Sequence, residues 1–277
     1  MRKFFLALTI LSCVTLHAQN EIRLLVRADD IGSFHSANLA CIDTYTKGIM
    51  RSVEIMPCCS WFPEAVKMLN KTPGLDVGVH LMITSEWENC KWAPLTQVPS
   101  ITNEDGYFYP FTWPKEGSAG LAIQEHDWKL NEIEAELRAQ IELTKKHIPR
   151  VSHLTTHMAF NSIHPDIDNL VQRLAKEYGL DIPTQGVKSL STDIKREMNG
   201  KQRAAALAKA IENLEPGTYM FVEHPAYNTP EMESVGHVGY EDVAADRQAA
   251  TEMFTSPVVK KAIEKKNVKL ISYKDLK

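Results

Sequence analysis

Acidic and imidazole side chains stand at the ends of several predicted strands, where they could act together on one substrate. Two carboxylates directly follow an apolar run, and three histidines each follow another apolar run further along: Asp29, Asp30, His80, His157 and His224. One carboxylate with two imidazoles leaves coordination positions open, which is how a catalytic metal site is built. A metal held in this way would polarise a carbonyl group and lower the pKa of bound water to about 7.

The adjacency of Asp29 and Asp30 allows two different roles. Neighbours on a strand point to opposite faces, but a turn at the strand end would let both reach one pocket, one holding a metal and the other taking a proton. The structural alternative is that Asp30 caps the following turn, just as a single strand-end histidine is ordinarily a hydrogen-bonded core residue. The recurrence at four strand ends favours a site.

The alternation of strand-like and helix-like segments predicts the elements that position these residues. Predicted strands lie at 22–28, 51–56, 75–80, 151–156, 180–183, 218–223 and 268–271. Predicted helices lie at 36–47, 61–70, 123–147, 165–178, 201–214, 242–254 and 258–266. Such alternation indicates a parallel sheet with helices outside. We therefore expect a single-domain α/β fold, a TIM-barrel-like (β/α) barrel that could be distorted or have seven strands, with the candidate residues on one face.

One long irregular segment interrupts the alternation at residues 84–114. It carries seven aromatic side chains: Trp87, Trp92, Tyr107, Phe108, Tyr109, Phe111 and Trp113. A long loop in a compact domain is usually functional. The rings could stack on sugar rings, or they could pack as a lid on the barrel, and the sequence leaves both interpretations open.

Residues 1–18 have the pattern of a signal peptide. A basic pair precedes an apolar core at 4–14 that is too short to span a bilayer, and a cleavage site fits before Gln19. We therefore expect an exported protein, periplasmic or extracellular, with residues 19–277 as one catalytic domain. Lipid anchoring through Cys13 is the weaker alternative, because the apolar stretch before it is short.

Composition excludes some partners. The chain has 277 residues and a formal net charge of −4, without a basic run, which argues against nucleic acid as a partner. No later apolar run is long enough to span a membrane. An exported location permits disulfides, but the spacing does not determine the pairing of Cys41, Cys58, Cys59 and Cys90. The oligomeric state is equally open.

Five short motifs, in order along the chain, resemble those of the YdjC-like carbohydrate deacetylases of the chitooligosaccharide deacetylase type. They are Ala-Asp-Asp-Ile-Gly at 28–32, Gly-Val-His-Leu at 78–81, Ser-His-Leu-Thr-Thr-His-Met at 152–158, Glu-His-Pro-Ala-Tyr at 223–227, and the ending from 247 to 276. The resemblance implies a barrel-like α/β fold. It also implies one divalent metal ion, zinc or magnesium, and removal of acetyl groups from N-acetylated sugars or oligosaccharides.

Carried over residue by residue, the resemblance implies specific roles. Asp30, His80 and His157 would hold the metal, Asp29 would be the base that activates water, and His224 would be the acid.

The chain departs from the family pattern at two places. Thr155 stands where the family usually has an aspartate, which leaves the role of the neighbouring His153 open. The residues 158–160 replace a longer histidine cluster that the family has after the position of His157.

Two other classes of function remain open. A metal-independent glycoside hydrolase could use Asp29, Glu54 and Glu223 as carboxylates on a barrel scaffold. A non-catalytic oligosaccharide-binding protein is the other alternative, because a fold does not determine a function. The sequence does not identify the sugar, its chain length or the metal.

Overall fold

One parallel sheet forms the centre of the protein. The structure is a computed structural model that describes residues 21–277, so the predicted signal peptide lies outside the described residues. Among these residues, the sheet has seven strands: β1 (Ile22–Ile31), β2 (Ser52–Ile55), β3 (Asp76–Leu81), β4 (His153–Thr156), β5 (Lys188–Ser189), β6 (Gly217–Glu223) and β7 (Lys269–Ile271). Its order is β4-β3-β2-β1-β6-β5, with β7 beside β1, and all pairs are parallel.

Eight α-helices connect or follow the strands in the described part of the chain. They are α1 (His35–Thr46), α2 (Phe62–Asn70), α3 (Leu130–His147), α4 (Pro165–Glu177), α5 (Gly200–Glu212), α6 (Pro230–Glu233), α7 (Val243–Thr255) and α8 (Pro257–Lys266). Their ends follow capping chemistry: Asn199 and Gln202 cap α5 reciprocally, and α8 ends at Asn267 in the left-handed conformation. None of the described helices is both long and apolar enough to cross a membrane.

Strand β1 is the central strand because it has neighbours along both edges. It pairs with β6 from Ile22 to Ala28, with β7 from Arg23 to Leu25, and with β2 from Arg27 onward. Strands β7 and β2 therefore cover successive halves of one edge. The residues at the carboxyl ends of β1, β2, β3, β4 and β6 are consequently close together.

The sheet curls but does not close, which corrects the expectation of a complete barrel. Within residues 21–277, β4 and β5 are edges that do not pair with each other. The prediction of a strand at 180–183 is wrong. The N–H group of Leu180 donates instead to Ala175 at the end of α4, at 2.7 Å, so it is unavailable for a sheet. The strand in this region is the two-residue β5, too short to complete a barrel.

The long segment 84–114 is held by α3. Glu136, fully buried in that helix, accepts hydrogen bonds from the N–H groups of Leu95 and Thr96 at 3.0 and 2.9 Å, and from the Thr96 hydroxyl at 2.6 Å. The predicted start of this helix at residue 123 is wrong, because a short 3-10 turn (Ile123–Glu125) is followed by non-helical residues before Leu130. A buried carboxylate thus fixes a long loop near the sheet's carboxyl edge.

Candidate active site

A β-bulge near the end of β1 brings two adjacent carboxylates close to one histidine ring. The register with β2 shifts between Ala28 and Ile31. Inside the bulge, Asp30 has a φ of +73°, in the left-handed region that few residues other than Gly, Asn and Asp occupy. As a result, Nε2 of His80 lies 3.9 Å from Oδ2 of Asp29 and 3.5 Å from Oδ1 of Asp30. Both carboxylates therefore lie near the same ring nitrogen of His80.

Gly32 makes the turn behind this bulge possible. Its φ is +101°, and a Cβ atom there would lie 3.0 Å from the carbonyl oxygen of Met56. Its N–H group donates to Oδ1 of Asn38 at 2.7 Å, while the hydroxyl of Ser33 donates to the carbonyl oxygen of Asp30 at 2.6 Å. The turn is therefore fixed by hydrogen bonds on both sides of the glycine.

Asp30, His80 and His157 form a buried cluster of three candidate metal ligands. They come from the ends of β1, β3 and β4, and one ligand atom of each lies within 4.8 Å of the others. Oδ1 of Asp30 is 3.5 Å from Nε2 of His80 and 3.5 Å from Nδ1 of His157. The structure thus brings together the three residues that the resemblance implied as ligands.

The cluster fits a divalent metal ion. Two ligands about 2.1 Å from one tetrahedral ion are roughly 3.4 Å apart, close to the separations found here. Oδ1 of Asp30 is buried and has no hydrogen-bond partner, and an orphaned buried acceptor requires a reason. A carboxylate with two imidazoles is also a donor set that several divalent ions accept.

Each of the three candidate ligands has a partner on its far side. Arg247 donates to Oδ2 of Asp30 at 2.7 Å, and Oε2 of Glu86 lies 3.0 Å from Nε2 of His157. The hydroxyl of Thr155 lies 2.8 Å from Nδ1 of His80. Such partners orient the ligands of a metal site and are worth about 10–100-fold in metal affinity or activity.

The pKa values of these groups reflect burial and the opposite charges nearby. Burial lowers the pKa of His80 to about 4, so this ring is neutral at pH 7. Burial also acts against charge on His157, but Glu86 and Asp30 outweigh it and raise its pKa to about 10. Asp30 is buried too, yet Arg247 and His157 hold its pKa well below the usual range. In the absence of metal, His157 is therefore the cation of the cluster.

Asp29 is bound on its other side by an arginine. Nη2 and Nε of Arg27 lie 2.7 Å from Oδ2 and Oδ1 of Asp29, and Nη1 of Arg27 donates to the hydroxyl of Tyr273 at 2.9 Å. Burial would raise the pKa of Asp29, but Arg27 and then His80 lower it below its usual value. Asp29 is consequently ionised and oriented.

His224 lies beside the two carboxylates. The register of β1 with β6 pairs Ala28 with Glu223, which places His224 level with Asp29. Its charge is close enough to favour the ionised forms of Asp29 and Asp30. The side chain is half-buried, so it retains access to solvent that the metal-ligand candidates lack.

The glycosidase interpretation lacks an accessible carboxylate at Glu54. Glu54 is fully buried, with Oε1 2.8 Å from Nε2 of His153 and Oε2 accepting from the Thr155 hydroxyl at 2.9 Å. It has no surface for a sugar to contact. Glu223 is half-buried, and burial raises its pKa. The geometry therefore favours the metal-site interpretation over a glycosidase that uses Glu54.

Most aromatic rings of the segment 84–114 pack inside the protein. Trp87, Trp92, Phe108 and Phe111 are buried, and the ring of Trp92 meets the edge of His157 at 6.0 Å between centroids. Two others are exposed by about two-fifths, Tyr107 at 39% and Trp113 at 41%. The lid interpretation holds for the buried rings, and the exposed pair remains free to contact a ligand.

The comparison with known protein families covers most of the chain. The family description "YdjC-like protein" matches residues 23–265. The chain belongs to the YdjC-like family. This match confirms the resemblance that the five motifs predicted.

Relatives of this YdjC-like protein cover almost its full length. It is 26% identical over 275 residues to carbohydrate deacetylase 2 of Listeria innocua, covering 92% of this chain and 99% of that protein. It is 28% identical over 265 residues to a carbohydrate deacetylase of Listeria monocytogenes, covering 92% and 100%. A crystal structure of a candidate cellobiose-phosphate cleavage protein from Enterococcus faecalis superposes with a TM-score of 0.74 at 23% identity, covering 92% and 99%. That likeness shows that the fold is shared.

Three further residues of this YdjC-like protein contact the site, and the sequence did not assign them roles. Arg27 directly precedes the first motif and Arg247 begins the last, but nothing in their spacing indicated which carboxylate each would bind. Glu86 lay in the irregular segment, where no periodicity indicates which way a side chain points. A charge inside an otherwise apolar stretch was the signal available for Arg27.

The four cysteines of the described chain are free. Cys41 and Cys59 are buried, and Cys58 and Cys90 are partly buried. Burial raises the pKa of each thiol, which makes them poor nucleophiles. They are structural residues here and have no place in the site.

Proposed function

We propose that this protein is a metal-dependent carbohydrate deacetylase that hydrolyses the acetamide of N-acetylated sugars or oligosaccharides to a free amine and acetate. One observation carries the proposal: the buried cluster of Asp30, His80 and His157 lies beside a second carboxylate, Asp29. Membership of the YdjC-like family and the relatives named carbohydrate deacetylases support this substrate class.

Asp30, His80 and His157 would hold the metal ion. When bound there, a divalent ion polarises the acetamide carbonyl group and makes water a better nucleophile. Of zinc and magnesium, the two imidazoles favour zinc, because magnesium prefers a shell of oxygen ligands. Arg247, Glu86 and Thr155 fix the ligands from behind.

Asp29 would act as the base. It takes a proton from the water molecule as the water oxygen adds to the carbonyl carbon. Because Arg27 occupies the far side of the carboxylate and lowers its pKa, Asp29 is charged throughout the neutral pH range. This arrangement provides a base that is ready without a prior deprotonation step.

His224 would act as the acid. It donates a proton to the nitrogen atom as the carbon–nitrogen bond breaks, so the products are an amine and acetate. Its place level with Asp29 supports this role, because the base and the acid would then stand on the neighbouring strands β1 and β6. Its partial exposure would let it recover a proton from solvent.

We further infer that the enzyme acts outside the cytoplasm, in the periplasm or beyond the cell. The pattern of residues 1–18 supports export, with cleavage before Gln19. N-terminal sequencing of protein recovered from the native host tests this inference. A mature chain that begins near Gln19 is expected, and a chain that retains Met1 in the cytoplasm would contradict it.

Product analysis tests the proposed activity. The purified protein is incubated with N-acetylglucosamine and its β-1,4-linked oligomers, and acetate, free amine and new reducing ends are measured. Acetate and amine in equal amounts, without new reducing ends, are expected. New reducing ends without acetate would instead establish a glycosidase, and binding without either product would establish a sugar-binding protein.

A further inference from the structure

A chain of hydrogen-bonded side chains runs from His80 into the interior of the curled sheet. The Thr155 hydroxyl lies 2.8 Å from Nδ1 of His80 and donates to Oε2 of Glu54 at 2.9 Å. Oε1 of Glu54 lies 2.8 Å from Nε2 of His153. All but Thr155 are fully buried, and Thr155 is partly buried. None of these contacts is explained by the reaction itself.

We propose that Glu54, acting through Thr155, is a positioning residue that fixes the tautomer of His80 in the form able to bind the metal. The proposal rests on the proposed function, because it concerns a ligand of that metal site. It extends the role of Thr155, the hydrogen-bond partner of His80, to Glu54 behind it.

Counting protons gives the direction of each hydrogen bond. An ionised carboxylate only accepts, so the single hydroxyl hydrogen of Thr155 is directed to Glu54. The Thr155 oxygen can then only accept from His80, whose Nδ1 must carry the ring proton. Nε2 of His80 is left with its lone pair, and Nε2 is the atom that faces Oδ1 of Asp30 at 3.5 Å. The network thus leaves the ligand nitrogen free.

The charge of Glu54 is compensated inside the protein. Its carboxylate is one of the charges that favour the protonated form of Arg27, and His153 contacts it directly. Behind His153, the hydroxyl of Ser152 lies 2.7 Å from Nδ1 of the ring and donates to Oδ1 of Asp76 at 2.8 Å. Because the carboxylate of Glu54 only accepts, Nε2 of His153 is the donor in the contact between them.

Gly78 leaves the space in which Glu54 and His153 contact each other. A Cβ atom on Gly78 would lie 2.0 Å from Oε2 of Glu54 and 2.4 Å from Nε2 of His153. Gly78 sits on β3 between its neighbours β2 and β4, paired with Glu54 and His153. The Glu54–His153 contact therefore spans the strand over a residue that has no side chain.

The substitution Glu54→Gln reverses the directions of the hydrogen bonds while keeping the shape of the side chain. In Glu54→Gln, the carbonyl oxygen of the amide must face Nε2–H of His153, so the amide NH2 faces Thr155. The Thr155 hydroxyl then donates to Nδ1 of His80, and the ring proton moves to Nε2. In this variant, the proton must leave Nε2 of His80 before that nitrogen can bind the metal.

The experiment measures tautomer and affinity, not activity. Side-chain 15N spectra of histidine-labelled, metal-free protein report the His80 tautomer, and competition with a chromogenic chelator gives the zinc affinity. The wild type should carry the proton on Nδ1. Glu54→Gln should move it to Nε2, and both Glu54→Gln and Thr155→Val should weaken zinc binding by about 10–100-fold.

Controls separate positioning from packing. Thr155→Ser keeps the hydroxyl group and should keep wild-type affinity, and Thr156→Val removes a neighbouring hydroxyl that contacts Asn161 instead of His80. In the Thr155→Val background, Glu54→Gln should have no further effect on affinity, because the link between them is gone.

The outcomes are distinguishable from failure of the proposed function. If the wild type binds no zinc, the metal site itself fails. If the wild type binds zinc but Glu54→Gln keeps the wild-type tautomer and affinity, the positioning role is wrong. Losses of zinc affinity that add up in the Glu54→Gln/Thr155→Val double variant would also overturn the positioning role. This holds even if thermal melts show that the single variants are partly unfolded.

Discussion

The guanidinium of Arg247 donates to Oδ2 of Asp30 at 2.7 Å, and Oδ1 of the same carboxylate is left buried without a hydrogen-bond partner. The two residues come from α7 and the bulge of β1, 217 positions apart. One oxygen is thus held by the protein while the other faces His80 and His157. A carboxylate with one oxygen bound by an arginine and the other facing two histidines is suited to be a metal ligand.

Replacing Arg247 should destabilise the metal-free protein strongly. Arg247→Met leaves Oδ2 of the buried Asp30 carboxylate without its donor, and breaking a buried ion pair typically costs about 3–5 kcal/mol. The matched control is Arg173→Met, since Arg173 forms exposed ion pairs with Glu134 and Glu177 that are worth about 1 kcal/mol or less. Urea unfolding of both variants measures the difference. Equal losses for the two variants would contradict the role of Arg247.

Glu86 should make the stability of the metal-free protein depend on pH. It helps to raise the pKa of His157 to about 10, above the unfolded value of about 6.5. The resulting stability is fully present below about pH 6.5 and is lost as the pH rises through 10. Glu86→Gln should therefore be less stable than the wild type at pH 6, with a gap that narrows toward pH 10.

The control for this pH series is Glu88→Gln, because Glu88 is exposed in the same segment. Unfolding by urea at several pH values gives the free energies of all three proteins. A gap between wild type and Glu86→Gln that stays constant with pH would show that Glu86 does not act through the charge of His157.

Asp29 should be separable from Asp30 by substitution. Asp29→Asn keeps the shape and removes the proton acceptor, so kcat and kcat/KM should fall together by about 10²–10⁴-fold. Zinc content should stay at the wild-type value, because Asp30, His80 and His157 are unchanged. Elemental analysis and steady-state kinetics on one preparation measure both. Loss of zinc would make Asp29 a ligand.

His224 should affect turnover without affecting the metal. His224→Ala removes the proton donor, and turnover should fall by about 10²–10⁴-fold with unchanged zinc content. A suitable comparison is His164→Ala, since His164 is exposed and caps α4. Turnover of His224→Ala within twofold of the wild type would remove this residue from the mechanism.

The fold was predictable where the chain follows a regular pattern. Strands β1, β3 and β6 were expected within a few residues of their bounds, because parallel strands are continuous apolar runs. The closure of the barrel was not predictable, since it depended on residues 178–199. There, the N–H group of Leu180 bonds to α4, a contact that no local pattern indicates.

The sequence predicted the three candidate metal ligands but not the residues that hold them in place. Asp30, His80 and His157 stand at strand ends, and strand ends of a parallel sheet converge. Glu86 and Arg247 reach these residues from an irregular segment and from a helix, so their contacts depend on tertiary packing. The departure at Thr155 was visible, but its partner Glu54 lies on another strand, 101 residues away.

Removal and return of the metal tests the central claim most directly. Acetate release from N-acetylated oligosaccharides is followed for the wild type, for Asp30→Ala and for the exposed control Asp105→Asn, before and after chelation and after zinc is restored. The wild type and Asp105→Asn should carry about one ion per chain, lose activity on chelation and recover it with zinc, whereas Asp30→Ala should lack both metal and activity. Full activity after complete metal removal, or normal metal content in Asp30→Ala, would contradict the account.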